Sequence, residues 1–432
     1  GLGTVTSTEF STNTVVASSG GGGALLLLNS GPGESSITES VFRDNLARQY
    51  GGAVYSFHTL RVSDAAFETN SSYSGYGGAL YSTVDLVIDS SSFTANLARN
   101  AGAIHGRQLT ITGSAFAGNI ALDSVGAAQG NLSVTVDDSA FDGNTAAVNI
   151  GAVFSGGSLA VTNSSLTNNS AGSIAGALAS VGVMVIVNST IVDNSSSQFT
   201  LHSGSTLYLV STTLTGNVVN SGSLSVLYSN GINLYGSVLD AADPNVDLCS
   251  SAATSLGYNY ANDTSCALSA AGDSQSPSND PMLGALGDHG GSTLTRLPLA
   301  ASPLVGAIPN ADCSLGGALA VDQRGYARPN VAGGRCDIGA VQLTPRVRAT
   351  VAGRSVTVTI DEFTATATIT MQSDPMVLGS IAVDAGGTGT ATFEIDCSVS
   401  AGTHTITAAA AGGQTASTTI AIEACVVPAF AG

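Results

Sequence analysis

The chain has 432 residues, a formal charge of −18 and only 10% charged residues, which makes nucleic acid and anionic membrane surfaces poor partners. All 12 basic residues are arginine, so Schiff-base chemistry, P-loop phosphate binding and Lys–Asn isopeptide cross-links are excluded. Hydrophobic residues at 43% and 53 glycines suit a packed chain with small inward side chains, not a disordered one.

Along the first half an apolar residue is followed three positions later by asparagine. The pairs are Phe10/Asn13, Phe42/Asn45, Phe67/Asn70, Phe93/Asn96, Phe116/Asn119, Phe141/Asn144, Leu166/Asn169, Ile191/Asn194 and Leu214/Asn217. After a first gap of 32 the spacing settles at 23 to 26 residues, the length of one supersecondary unit, so the chain reads as a solenoid. A small-Gly-Ala-apolar step is interleaved with it, its alanine at Ala24, Ala53, Ala79, Ala103, Ala127, Ala152 and Ala177. Between the two lie alternating runs such as LTITGSAF, LSVTVDDSAF and VMVIVNSTI, whose period of two and β-branched content predict strands. No helical period appears. Three short strands per turn predict an all-β, right-handed parallel β-helix.

Stacking explains why the residues recur. With coils about 4.8 Å apart, Phe42, Phe67, Phe93, Phe116 and Phe141 form one inward aromatic column, continued by Leu166, Ile191 and Leu214. Asn45, Asn70, Asn96, Asn119 and Asn144 fall at a turn, where they chain their amides into a ladder and tolerate left-handed backbone. Paired glycines allow a sharp corner, and the alanine fits where the tube is narrow. These residues are read as scaffold, because a fold needs repetition at every coil whereas chemistry needs a few residues once.

The chain divides into coils over 1–245, an irregular closing and capping segment over 246–345, and hairpin-like strands over 346–432. The last region (RVRATVAG, RSVTVTID, TATATITMQ, GTATFEID, GTHTITAAAAGG, ASTTIAIEA) predicts a small Ig-like β-sandwich. INLYGSVL, Ile232–Leu239, is the last recognisable strand of the coils. Six late cysteines allow fifteen pairings. Nearest neighbours give Cys249–Cys266, Cys313–Cys336 and Cys397–Cys425; no closely spaced pair suits zinc, and disulfides imply an oxidising exterior.

The alternation of GGA-apolar with Phe-x-x-Asn resembles the repeat of polymorphic outer-membrane proteins and related bacterial surface β-helix adhesins. The stretch DPMLGALGDHGGSTLTRLPLAASPLVGA, then VDQRGYARP and GRCDIGAVQ, is similar to the choice-of-anchor segment that closes many bacterial surface β-helix proteins. Asp288-His289 stands where such proteins often have Asn, and Ser292 replaces a usual proline. The resemblance implies a secreted or surface-anchored bacterial protein without assigned catalytic activity.

Residue by residue, catalysis finds little support. Arg324 and Arg328 are the only clustered basic candidates for lyase-type proton abstraction, and pairing with Asp322 or Asp337 is their structural alternative. Asp137 and Asp138 are adjacent, so a strand sends them to opposite faces. His58, His105, His202, His289 and His404 are scattered and read mostly as surface histidines. Asp240, Asp243, Asn245 and Asp247 place four oxygen donors in a candidate calcium loop; no other cofactor is indicated. Seven Asn-x-Ser/Thr sequons occur, of which Asn70 and Asn194 occupy the ladder and cannot carry a glycan.

No apolar run is long enough to span a bilayer, and the start at Gly1 suggests a signal peptide already removed. The first repeat lacks a polar cap. The sandwich, or an apolar tail of Val426, Val427, Pro428, Ala429 and Phe430, is a candidate to cover the open coil of a second copy, a head-to-tail contact that propagates into a filament. The reading is a non-enzymatic extracellular structural or adhesive surface protein, with self-association and surface glycans as partners. The alternative is a carbohydrate-binding or polysaccharide-degrading, lyase-like β-helix.

Overall fold

The computed structural model describes residues 3–17, 20–28, 33–220, 224–313, 315, 319–330, 333–372 and 376–425. Its first part is a parallel β-solenoid of about 9 turns. In one representative coil, Val54–Ser56 and Thr59–Ser63 lie in a first sheet, Ala66–Glu68 in a second and Ser71–Tyr76 in a third. Each strand pairs in parallel with its equivalents in the coils before and after, so Phe42, Phe67, Phe93, Phe116 and Phe141 fall directly in register. Their rings stack at centroid distances of 4.8, 4.9, 4.7 and 4.6 Å, with Phe10 a further 4.8 Å below Phe42. The first-sheet strands are longer than three short strands per turn implies. In some coils they run without a break, as Phe199–Val210 and Ser225–Tyr235 do.

The asparagine ladder is continuous. Asn70 Nδ2 donates to Asn96 Oδ1 at 3.0 Å and to the Phe42 carbonyl at 2.9 Å, while Asn96 Oδ1 also accepts the Asn70 N–H. Three orphan groups at each turn are thereby satisfied inside the tube, where a missing partner costs about 1–3 kcal/mol. The left-handed residue is not the asparagine but its predecessor: Asp44, Thr69 and Ala95 have φ of 54°, 52° and 53°, and Gly118 and Gly143 take the place later. That left-handed step turns the chain so that the next side chain enters the tube, which is why the asparagines are buried.

A second ladder escapes the sequence reading. Ser91, Ser114, Ser139 and Ser164 each accept the N–H of the equivalent residue one coil earlier, at 3.0–3.1 Å for the last three, and donate to the carbonyl two residues before themselves. They stand two residues before the stacked apolar residue, so the fuller motif is Ser-x-Phe-x-x-Asn. At the opposite corner, a Cβ on Gly102 collides with the Gly126 carbonyl oxygen of the next coil, and one on Gly126 with that of Gly151. The corner therefore excludes every side chain.

The coils run past residue 245, where Asp247–Cys249, Thr254–Ser255, Tyr260–Ala261 and Ser274–Gln275 keep the parallel pairing. Cys266 and Leu268 fold over the end of the same core. The rest of the closing segment straps back along the flank of the tube. Ser292 Oγ donates to Asp138, Thr190 Oγ1 donates to Gln323 Oε1 at 2.6 Å, Asn188 Nδ2 donates to the Val321 carbonyl at 2.9 Å, and Gly339 N–H donates to the Gly236 carbonyl at 2.8 Å. Beneath this strap the outward threonines Thr190, Thr213 and Thr215 are buried.

The last region is a β-sandwich. Arg346–Ala352, Ser355–Asp361 and Gly389–Glu394 form one antiparallel sheet; Met376–Ile381, Ala367–Met371, Gly402–Ala410 and Thr415–Ile422 form the other. Val356, Val358, Ile360, Ile369, Met371 and Ile406 meet in its core. Met376–Ile381, an edge strand with a register shift, lacks the alternation that made its neighbours legible. The cysteines join as Cys249–Cys266, Cys313–Cys336 and Cys397–Cys425, with Cα separations of 5.0, 5.5 and 5.6 Å. Among the described residues no helix is long and apolar enough to cross a membrane.

Two substitutions test the tube. Phe116→Ala opens a cavity between two rings and should cost about 3–5 kcal/mol in denaturant unfolding. Asn119→Ala leaves the Phe93 carbonyl and the Asn96 N–H without their ladder partner, and should cost at least about 2 kcal/mol with secondary structure preserved below the transition.

Candidate functional site

The glycine corner shapes the outside as well as the inside of the tube. On the outward face of the first sheet, Tyr55, Tyr81, His105, Gln129 and Phe154 stand in register, one per coil. Across the corner a second row pairs Tyr50 with Tyr76 and, further along, Val125 with Ile150 and Ala175. The two rows converge into a groove. Although they lie outside the tube, Ala175, Ala179 and His105 are only 0%, 2% and 4% exposed. Val125, Ile150, Ala175 and Ala179 pack with Phe154 and Ile174 as a small apolar cluster midway along it. Phe199, His202 and Tyr228 stack in its last third, with centroids 4.6 and 5.0 Å from Tyr228.

The first third is aromatic. Tyr81 lies 4.7 Å from Tyr50, 5.2 Å from Tyr55 and 4.9 Å from His105, to which it is parallel within 4°. Tyr76 meets His105 at 4.9 Å, tilted by 54°, and lies 6.3 Å from Tyr81. Among the described residues the hydroxyls of Tyr50, Tyr55, Tyr76 and Tyr81 have no hydrogen-bond partner. Burial, reinforced by the neighbouring tyrosines, pushes the Tyr81 hydroxyl up to about 12. Burial likewise pushes His105 down to about 4, so its ring is neutral at pH 7. His105 Nε2 meets Asn131 Oδ1 at 3.2 Å, while its Nδ1 and the neighbouring Gln129 Oε1 are buried without a partner. Neither row contains an Asp, Glu or Arg. The sequence carried a signal for this site that the repeat reading passed over: YGGAVY at 50–55 and YGGALY at 76–81 bracket the corner with tyrosine on both sides.

The basic candidates are elsewhere and enclosed. Arg324, with a side chain 0% exposed, donates to Asp322 Oδ2 at 3.1 Å and to Glu362 Oε1 at 2.9 Å, and its guanidinium lies 4.6 Å over the Tyr326 ring. Arg346 also reaches Glu362 Oε1, at 2.6 Å. Glu362 belongs to the sandwich, so this network fastens the sandwich to the strap. Arg328 donates to the backbone carbonyls of Asp337 and Gly339 at 2.9 Å each, instead of to a carboxylate. Asp337 accepts the Gly306 and Leu343 N–H groups, yet burial outweighs them and pushes its carboxyl up to about 6.

Other expectations are corrected. The four oxygens of the calcium candidate do not converge: Asp240 accepts Thr215 Oγ1 at 2.5 Å and Asn262 Nδ2 at 2.7 Å, whereas Asp243 turns onto Asn245 in an exposed loop and Asp247 points away to solvent. Among the described residues no group of three or more His, Cys, Asp or Glu side chains is placed to hold a metal. The histidines are not surface residues, since His58, His105 and His404 are buried and His202 and His289 are half-buried. Asp137 and Asp138 do not alternate along a strand, because Asp138 is the left-handed turn residue with φ of 52°. Asn188 joins Asn70 and Asn194 among the buried sequons. Val426, Val427, Pro428 and Phe430 lie outside the described residues.

Comparison with protein-family models, curated proteins and solved structures finds no match for this chain. Fold and groove define a class only, a disulfide-bonded β-solenoid with an uncharged aromatic furrow on its flank and a sandwich fastened beside it.

Arg324→Met strands Glu362 and Asp322 in a dry seam and should destabilise the protein by about 3–5 kcal/mol, whereas the exposed pair Arg348–Asp361 should contribute little when removed. For His105 the folded pKa lies below the free value, so the folded state binds fewer protons. Its contribution is complete above pH 6.5 and is lost as pH falls towards 4, by about 2–3 kcal/mol. Asp337 acts with the opposite sign, losing stability as pH rises from 3.8 to about 6. The comparison of the wild-type and His105→Phe stability profiles therefore isolates the histidine, and the wild type should lose stability relative to the variant with falling pH over this window.

Proposed function

We propose that this chain is an extracellular structural and adhesive protein of a bacterial surface, a rigid rod that holds an aromatic groove against a partner. The observation that carries the reading is the groove: tyrosines with unpartnered hydroxyls are repeated on a scaffold whose backbone is tied coil to coil. The oxidising setting implied by three disulfides agrees with an extracellular location. The two clustered basic candidates for lyase chemistry, Arg324 and Arg328, are enclosed, and the exposed solenoid arginines Arg43, Arg61 and Arg107 each face a carboxylate. The repeat motifs, by their resemblance to surface adhesins, point the same way.

End-to-end association is part of the proposal. Among the described residues, Thr4–Thr6, Glu9–Ser11 and Thr14–Val15 pair only with the following coil. That edge accepts either a further stretch of chain or another copy, because unpaired strand edges recruit strands.

Beads coated with the protein should adhere to cell surfaces, and incubation with polygalacturonate should release no unsaturated or reducing ends. Light scattering should show mass rising with concentration. Chain cleavage of the polysaccharide without adhesion would replace this proposal with the lyase reading.

A further inference from the structure

We infer that the first third of the groove, built by Tyr50, Tyr55, Tyr76, Tyr81, His105 and Gln129, binds a neutral polysaccharide chain lying along the solenoid axis. The inference rests on the adhesive reading and names its partner. Sugars combine apolar C–H faces with hydroxyls that both donate and accept, and they are recognised by aromatic rings carrying polar tips. The groove offers that combination in partly exposed tyrosines without hydrogen-bond partners.

The orphaned atoms sharpen the chemistry. With Nε2 facing Asn131 Oδ1, the neutral His105 ring carries its proton on Nε2 and leaves Nδ1 as an acceptor. Gln129 Oε1, one coil on, is a second unpartnered acceptor. His105 is 4% exposed and packs against both Tyr76 and Tyr81, so a group that displaces either ring meets an atom that lacks a donor. A hydroxyl supplies that donor, and a carboxylate does not.

Charge and topology remove the rival ligands. Neither row is charged and the whole chain carries −18, which disfavours acidic glycans. An extended peptide would need an open strand edge, yet the strands here pair on both sides: Leu80–Ser82 joins Val54–Ser56 before it and Ile104–Thr112 after it. The repeat along the axis suits a ligand that is itself a linear repeat.

The test is affinity electrophoresis of the full chain in gels containing hydroxyethylcellulose, galactomannan or arabinoxylan, with polygalacturonate as the acidic control. At least one neutral gel should retard the protein and the acidic gel should not. Tyr81→Ala and Tyr50→Ser should each weaken that retardation about tenfold, while Tyr81→Phe, which keeps the ring, should weaken it less. Each variant is checked for unchanged cooperative unfolding, and Tyr228→Ala, at the far end of the groove, serves as a folded control with unaltered retardation. Passage through all three neutral gels without retardation, or retardation indifferent to Tyr50 and Tyr81, would overturn the inference. Bead adhesion is scored separately: adhesion that survives in Tyr50→Ser/Tyr81→Ala sinks the glycan site and leaves the adhesive reading standing, whereas loss of adhesion in the wild type sinks the adhesive reading itself.

Discussion

Parallel pairing at the spacing of one strand is the constraint on which everything else depends. Once consecutive coils are hydrogen-bonded in register, each side chain must sit on its equivalent, so any residue that cannot tolerate its own likeness above and below is excluded from the tube. Phenylalanine meets this by stacking, asparagine by donating to the next amide and accepting from the previous one, and serine by accepting the N–H of the coil before while its hydroxyl donates to a carbonyl of its own coil. Charge cannot meet it, because like charges a few ångströms apart repel strongly in a dry interior. The inward positions of the coils are accordingly uncharged.

The glycine corner follows from the same constraint and has an external effect. Because each corner glycine lies against the next coil's carbonyl, the chain folds sharply there, and side chains just before and after the corner converge on the outer surface. Tyr50 and Tyr55, four residues of corner apart, meet at 5.4 Å. A device that narrows the tube therefore also carves the groove, and the rigidity of the one is passed to the other.

The strap and sandwich solve a different problem. A solenoid flank lined with threonines presents donors and acceptors that must be satisfied or left wet, and residues 288–340 satisfy them by unique contacts such as Thr190 to Gln323 and Thr213 to Ala340. The Arg324 network then locks the sandwich in place. Its two carboxylates and two guanidiniums are costly to desolvate, and their joint satisfaction makes one docking geometry acceptable and its neighbours unfavourable.

The coils, the aromatic column, the asparagine ladder and the all-β organisation are legible in the amino-acid order alone. A repeated solution is written once per coil, and nine apolar-x-x-Asn steps, six of them with phenylalanine, make it legible without any knowledge of contacts. The amino-acid order also carried the serine ladder and the tyrosine brackets of the groove, at Ser91, Ser114 and Ser139 and in YGGAVY and YGGALY, although the bolder repeat masks them. Other features emerge from the folded chain: the closing segment runs back along the flank, Glu362 joins Asp322 on Arg324 while Asp337 does not, Asp240 faces Thr215, and His105 is buried on the outside of the tube. Each of these depends on contacts particular to one place in the fold. Such a contact has no period, and its energy exists only once both partners have been brought to the same place.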